Sequence, residues 1–123
     1  REEKEYLRKM LKLESLKKGN HFKKALRERK IHTDYFSIFA AKNFLKPKKN
    51  HLIISFVMKK KIGNAVKRNK IKRKLKAIVQ KILKIKGAIN RDYTYIVLGK
   101  SNAFAEKQNV LMPTMIKCFN KYK

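Results

Sequence analysis

One cysteine, no tryptophan, two prolines, four glycines and only eight acidic residues mark this chain, and each scarcity removes a class of protein. A lone Cys118 can close no disulfide within the chain and can build no cysteine-based zinc site. It is expected as a buried small residue near a C-terminal helix, in a reducing compartment. The acids are too few and too dispersed to suggest a two-metal carboxylate centre. His21, His32 and His51 have no metal-ligand spacing, and no Ser/His/Asp or Cys/His set is visible. No catalytic residue and no metal ligand is therefore assigned to this chain. No apolar run approaches the ~20 residues of a membrane span, and Arg1-Glu2-Glu3-Lys4 lacks the layout of a secretory signal. A soluble, cytoplasmic protein is expected, and an opening on Arg1 rather than Met suits a piece of a longer product.

What the chain has in excess is positive charge: 35 Lys and Arg against 8 Asp and Glu, a formal +27 in 123 residues. Hydrophobic residues still make up 43%, including seven Phe and five Tyr, so a packed core is affordable and a disordered basic tail is not indicated. A compact domain with this much self-repulsion gains most from a polyanion, because each neutralised phosphate releases condensed counterions. Nucleic acid is the expected partner class. A ribosomal or other structural RNA-binding protein, an anionic membrane surface and a merely Lys-rich solvated surface are the alternatives.

Residues 1–18 mix acidic, basic and apolar positions without a sharp cap and are expected as an N-terminal extension, leaving 19–123 as a single domain. Gly19-Asn20 is placed to start a short helix, with Phe22, Ala25 and Leu26 on the face that should pack on a sheet. Tyr35–Ala40 and Leu52–Met58 are aromatic and β-branched, and with the turn Lys46–Asn50 between them they predict an antiparallel hairpin. The longest helical signal runs from about Ala65 to Lys86: Ile71, Leu75, Ile78, Ile82 and Ile85 form one apolar stripe, and Gly87 is placed for the C-cap. Asp92–Leu98 predicts a further strand, and residues 105–121 a last helix with Pro113 as an awkward interior residue. The order helix, two strands, helix, strand, helix predicts an α+β two-layer sandwich.

Ten of the eighteen residues from Lys59 to Lys76 are Lys or Arg. At 100° per residue, Asn69, Lys72, Arg73 and Lys76 share one stripe beside the apolar one. No acidic residue occurs between positions 59 and 86 to form pairs along the helix, so these cations are expected to interact with something outside it. Asn69 interrupts the run with a side chain that both donates and accepts, suited to sugar or base edges. Gly63-Asn64 at the helix start is suited to a phosphate oxygen.

The stretch Lys60-Lys61-Ile62-Gly63-Asn64-Ala65-Val66-Lys67-Arg68-Asn69-Lys70-Ile71-Lys72-Arg73 resembles the signature of the bacterial ribonuclease P protein family, an Arg-Asn-Arg core followed by Ile-Lys-Arg. It departs at Lys70, where charge is kept but the bidentate fork of Arg is lost. The resemblance extends over about residues 15–121 in the Phe22 helix, the hairpin and the Asp92-Tyr93 strand. It implies an α+β sandwich whose long basic helix lies in a left-handed βαβ crossover, against the usual handedness. It also implies a protein that assists a catalytic RNA in removing the 5′ leader of precursor tRNA. Catalysis and Mg2+ would then belong to the RNA subunit, with no cofactor held by protein ligands. Lys61, Asn64, Arg68, Asn69, Lys70, Lys72, Arg73 and Lys76 would contact the catalytic RNA. Phe22, Leu26, Ser37 and Phe39 would line a cleft for the single-stranded leader, where aromatic rings can stack on unpaired bases.

Overall fold

The computed structural model describes residues 12–27, 29–46, 51–85 and 87–122. In chain order the elements are β1 (Lys12–Glu14), α1 (Gly19–Leu26), β2 (Arg29–His32), β3 (Phe36–Lys42), β4 (His51–Val57), a 3-10 turn (Lys60–Ile62), α2 (Ala65–Leu83), β5 (Tyr93–Gly99), a second 3-10 turn (Ser101–Ala103) and α3 (Gln108–Asn120). The strands form one mixed sheet in the order β1-β4-β5-β3-β2. Helices α2 and α3 pack on one face to give the two-layer α+β sandwich, and α1 partly covers the other face.

The expected hairpin is not formed: β5 lies between β3 and β4, antiparallel to the first and parallel to the second. The reason is burial. Thr94, Tyr95, Ile96 and Val97 are all buried in succession, which requires a strand flanked on both edges and covered on both faces. β4, α2 and β5 therefore make a parallel crossover unit, which places the start of α2 beside the ends of β4 and β5. A Cβ on Gly99, at the end of β5, would overlap the Met58 sulfur, so a larger residue there would have to displace the end of the Met58 side chain.

Alternation along the strands divides the interior in two. Phe36, Ile38, Ala40, Leu52, Ile54, Tyr95 and Val97 face α2 and α3, meeting Ile71, Leu75, Ile78, Val79, Ile82, Leu111, Met115 and Phe119. Each fully buried aliphatic side chain here contributes about 1.5–3 kcal/mol. Phe39, Ala41, Ile53 and Ile96 face the other way, toward Ala25 of α1, Leu16 and the partly buried Phe22 and Phe44. Cys118 is buried, as expected, and loss of hydration raises its thiol pKa.

Two expectations about chain ends need correction. Within the expected N-terminal extension, β1 pairs in parallel with β4, and Leu16 is buried with its N–H donating to Ser55 Oγ at 2.8 Å. Residues 1–11 of that extension lie outside the described residues. Helix α2 stops at Leu83 instead of Lys86. Its last turn tightens through Lys84 N–H to Lys81 O and Ile85 N–H to Ile82 O, and Gly87 then turns at φ +75° to bring Ala88 and Ile89 into the core. Ile85 is left 46% exposed and outside the apolar stripe. Pro113 lies inside α3, as expected, and is exposed, so the Asn109 carbonyl that loses its N–H partner is open to water.

Candidate nucleic-acid interface

Helix α2 starts from a fixed point. Asn64 caps it, its Oδ1 accepting the Lys67 N–H at 2.9 Å. Asn64 was expected to meet a phosphate, and with its Oδ1 capping the helix the group left to donate to one is Nδ2. Gly63 before it has φ +155° and ψ −163°, a backbone state reserved for glycine, and a Cβ there would press on the Lys67 side chain at 2.9 Å.

The cations of α2 fall into two rows with different surroundings. Lys67, Lys70 and Lys74 face the loop after β5. Lys74 Nζ donates to three backbone carbonyls, Ala103 at 3.0 Å, Phe104 at 2.8 Å and Glu106 at 2.7 Å. Loss of hydration, and then Lys70, lower its pKa. Lys67 Nζ donates to Ser101 Oγ at 2.9 Å, and both Lys67 and Lys70 lie about 5 Å from the Phe104 ring centre, in cation–π contact. This row thus finds its partners outside its own helix, as expected, but within the same molecule, and Lys70 stands apart from the other motif residues. Sequence spacing within α2 could not show it, because the partners lie about 30 residues further along.

The second row is Arg68, Asn69, Lys72, Arg73 and Lys76. Arg68 is half-buried and the other four are exposed. Arg68, Asn69 and Lys72 line a groove of about 200 Å³ with Ala65, Phe56 and Met58. The Arg68 Nε is buried and makes no hydrogen bond among the described residues. The single contact between a basic and an acidic side chain among the described residues is His51 to Glu14 at 3.2 Å, so none of these cations has an acidic partner there.

A larger cavity of about 430 Å³ opens beside the first 3-10 turn, lined by Lys30, His32, Ser37, Lys59, Lys61, Ile62, Leu98 and the Gly99–Ser101 segment. Lys61 belongs here and does not line the Arg68 groove. Lys100 also lines the cavity while its Nζ donates to Thr33 O at 2.6 Å. Ser37 is buried and shares a 2.6 Å hydrogen bond with His32 Nδ1. The His32 pKa is lowered from 6.5, first by partial dehydration and then by Lys30 and Lys100.

Of the four residues expected in the cleft, Ser37 alone lines this cavity. Phe39 is buried in the core against α1, with Lys30 Nζ over its ring at 5.1 Å. Phe22 is half-buried in the same cluster. Leu26 is 43% exposed rather than packed on the sheet, because the two-turn α1 ends there and Ala25 takes the contact. Lys30, His32, Lys59 and Lys100 escape sequence reasoning. Seeing β2 as a strand would have found two of them, since Lys30 and His32 alternate opposite Phe39 and Ser37.

Fold and site together define a one-sheet α+β module that holds unneutralised cations in fixed positions around a crossover helix. A family model for ribonuclease P matches residues 10–123. Curated ribonuclease P protein components of Streptococcus pneumoniae, strains Hungary19A-6 and CGSP14 among them, are 33% identical to it over 72 residues. That alignment covers 55% of this chain and 56% of theirs, so the match spans about half the length of these curated relatives. Among solved structures, the RNase P protein of Thermotoga maritima aligns with TM-score 0.70 at 20% identity, covering 88% of this chain and 96% of that one. The Staphylococcus aureus RNase P protein aligns with TM-score 0.66 at 22% identity, covering 88% and 93%. The chain belongs to the ribonuclease P protein family. Among its described residues no helix is long and apolar enough to cross a membrane.

Proposed function

We infer that this chain is the protein component of a ribonuclease P ribonucleoprotein, binding the catalytic RNA and the 5′ leader of precursor tRNA during tRNA maturation in the cytoplasm. The observation that carries the reading is the cavity of about 430 Å³ in which Lys30, Lys59, Lys61 and Lys100 surround the apolar Ile62 and Leu98. Such a lining suits an unpaired strand, with phosphates meeting the lysines and a base lying on the apolar side. The row Arg68, Asn69, Lys72, Arg73 and Lys76, on the helix that leaves this cavity, would hold the structured RNA through its backbone.

Among the described residues no three of His, Cys, Asp and Glu gather closely enough to hold a metal ion. In this reading hydrolysis belongs to the RNA subunit, as the family resemblance implies, with Mg2+ held by that RNA supplying water activation. The protein residues bind and orient the substrate strand and reduce repulsion between two RNAs.

The test is single-turnover cleavage of precursor tRNA by a bacterial ribonuclease P RNA at low magnesium, with and without this protein. Acceleration that is absent when the protein is incubated alone supports the assisting-subunit reading. RNA binding without acceleration would point to a structural RNA-binding protein.

A further inference from the structure

A second cavity, of about 320 Å³, lies at the opposite end of β3 and takes no part in the site described above. It is lined by Lys24 of α1, Arg29 of β2, Ala40, Ala41, Lys42, Phe44 and Tyr93. Its volume is near the lower end of the roughly 300–1,000 Å³ of small-ligand sites, enough for one nucleotide unit. Two aromatic walls and three cations are the combination that takes a base on its π-face and the adjoining phosphates on the rim.

The aromatic wall is fixed in advance. Asn43, which precedes Phe44, donates from its backbone N–H to Asp92 O at 2.9 Å and from Nδ2 to Arg91 O at 3.0 Å. Its Oδ1 accepts from Thr94 Oγ1 at 2.7 Å. The start of β5, which carries Tyr93, is thus tied to the segment carrying Phe44. Lys24 Nζ stands 4.9 Å from the Phe44 ring centre, and His21 lies against the same ring at 5.7 Å. Arg29 donates to Lys121 O at 3.2 Å and stacks over Tyr122, so its guanidinium is positioned by the fold. Among the described residues, Lys24, Arg29 and Lys42 make no ion pair.

The two cavities are strung along one strand. Ser37 lines the first and Ala40, Ala41 and Lys42 the second, a separation of roughly 13 Å at about 3.3 Å per residue. We propose that the Phe44–Tyr93 cavity is a second subsite for single-stranded RNA, taking one unpaired nucleotide of the leader further from the cleavage point than those in the Ser37 cavity. This rests on the leader-binding reading and adds to it a dependence of affinity on leader length.

The experiment measures binding of the protein–RNA holoenzyme to precursor tRNAs whose leaders are lengthened one nucleotide at a time, using the full chain and its Phe44→Ala and Lys42→Glu variants. Lys42 is exposed, so that variant keeps the test meaningful if Phe44→Ala perturbs folding. The expected result is a step in affinity with leader length for the unaltered chain. Both variants should reduce that step, by about tenfold for the lost stack at Phe44, while affinity for leaders too short to reach the cavity is unchanged. Retention of the full step in both variants overturns the second subsite and leaves the leader reading intact. Equal weakening on every RNA, mature tRNA included, also overturns it, since that is general electrostatics. No gain at any leader length for the unaltered chain overturns both readings.

Discussion

His32 and Ser37 stand opposite one another on β2 and β3, with His32 Nδ1 2.6 Å from the Ser37 hydroxyl at the wall of the cationic cavity. Partial dehydration, Lys30 and Lys100 lower the His32 pKa below 6.5, and Lys59 and Lys61 line the same cavity. In the free protein the folded state therefore binds this proton less readily than the unfolded one. The resulting stability is present above pH 6.5 and is lost as pH falls through the lowered pKa. A bound phosphate reverses the local field and raises that pKa, so RNA binding takes up a proton. Leader affinity is expected to rise as pH is lowered from 7.5 to about 5.5. In His32→Gln that rise should flatten, as measured by titration of a leader-bearing RNA at constant ionic strength. An unchanged profile in the variant would remove His32 from the strand-binding cavity.

Arg68 lines its groove half-buried and, among the described residues, without an acidic partner, which predicts a phosphate contact for its guanidinium. Arg68→Ala is expected to weaken binding to the catalytic RNA and to reduce the slope of log K against log salt by about 0.7–0.9, the share of one phosphate contact. Binding isotherms at several salt concentrations measure both quantities. Weaker binding with an unchanged slope would indicate that Arg68 acts by shaping the groove with Phe56 and Met58.

A buried hydroxyl adds to the β1–β4 ladder in attaching the N-terminal segment. Ser55 is 3% exposed and accepts the Leu16 N–H at 2.8 Å, which holds Leu16 against Ala25 and Ile53. Ser55→Ala leaves that N–H buried and unpaired and is expected to cost about 1–3 kcal/mol in denaturant unfolding. Hydrogen exchange at Leu16 should rise more than exchange in β5, because an edge segment opens locally before the centre of the sheet does.

Local patterns could be read directly from the sequence, and long-range ones could not. The periodicity of Ile71, Leu75, Ile78 and Ile82 located α2, and all four are fully buried. The β-branched and aromatic runs located three of the strands. Pairing was misread because a strand buried on both faces has no preferred neighbour in the sequence, and β5 enters between β3 and β4 only after α2 has crossed. β1 and β2 are three and four residues long, too short to show a period. The cavity cations come from β2, the first 3-10 turn and the end of β5, positions that only the sheet order brings together. Arg68, Asn69, Lys72, Arg73 and Lys76 lie close together in sequence on one helix, so that part of the site was visible beforehand.

Neighbouring lysines on α2 should separate stability from RNA binding. Lys74 donates to three carbonyls of the loop after β5, while Lys72 is exposed beside the Arg68 groove. Lys74→Met keeps the aliphatic stem but leaves three carbonyls without their cationic donor. Unfolding free energy is expected to fall by about 1–3 kcal/mol, with the salt slope of RNA binding unchanged. Lys72→Met should shift stability by no more than about 0.5 kcal/mol and lower the salt slope by about one phosphate contact. Both variants need denaturant unfolding and salt-dependent RNA binding measured side by side. A loss of slope in Lys74→Met at full stability would mean that the loop-facing row also meets RNA. The division of α2 into an internal and an external row of cations would then not hold.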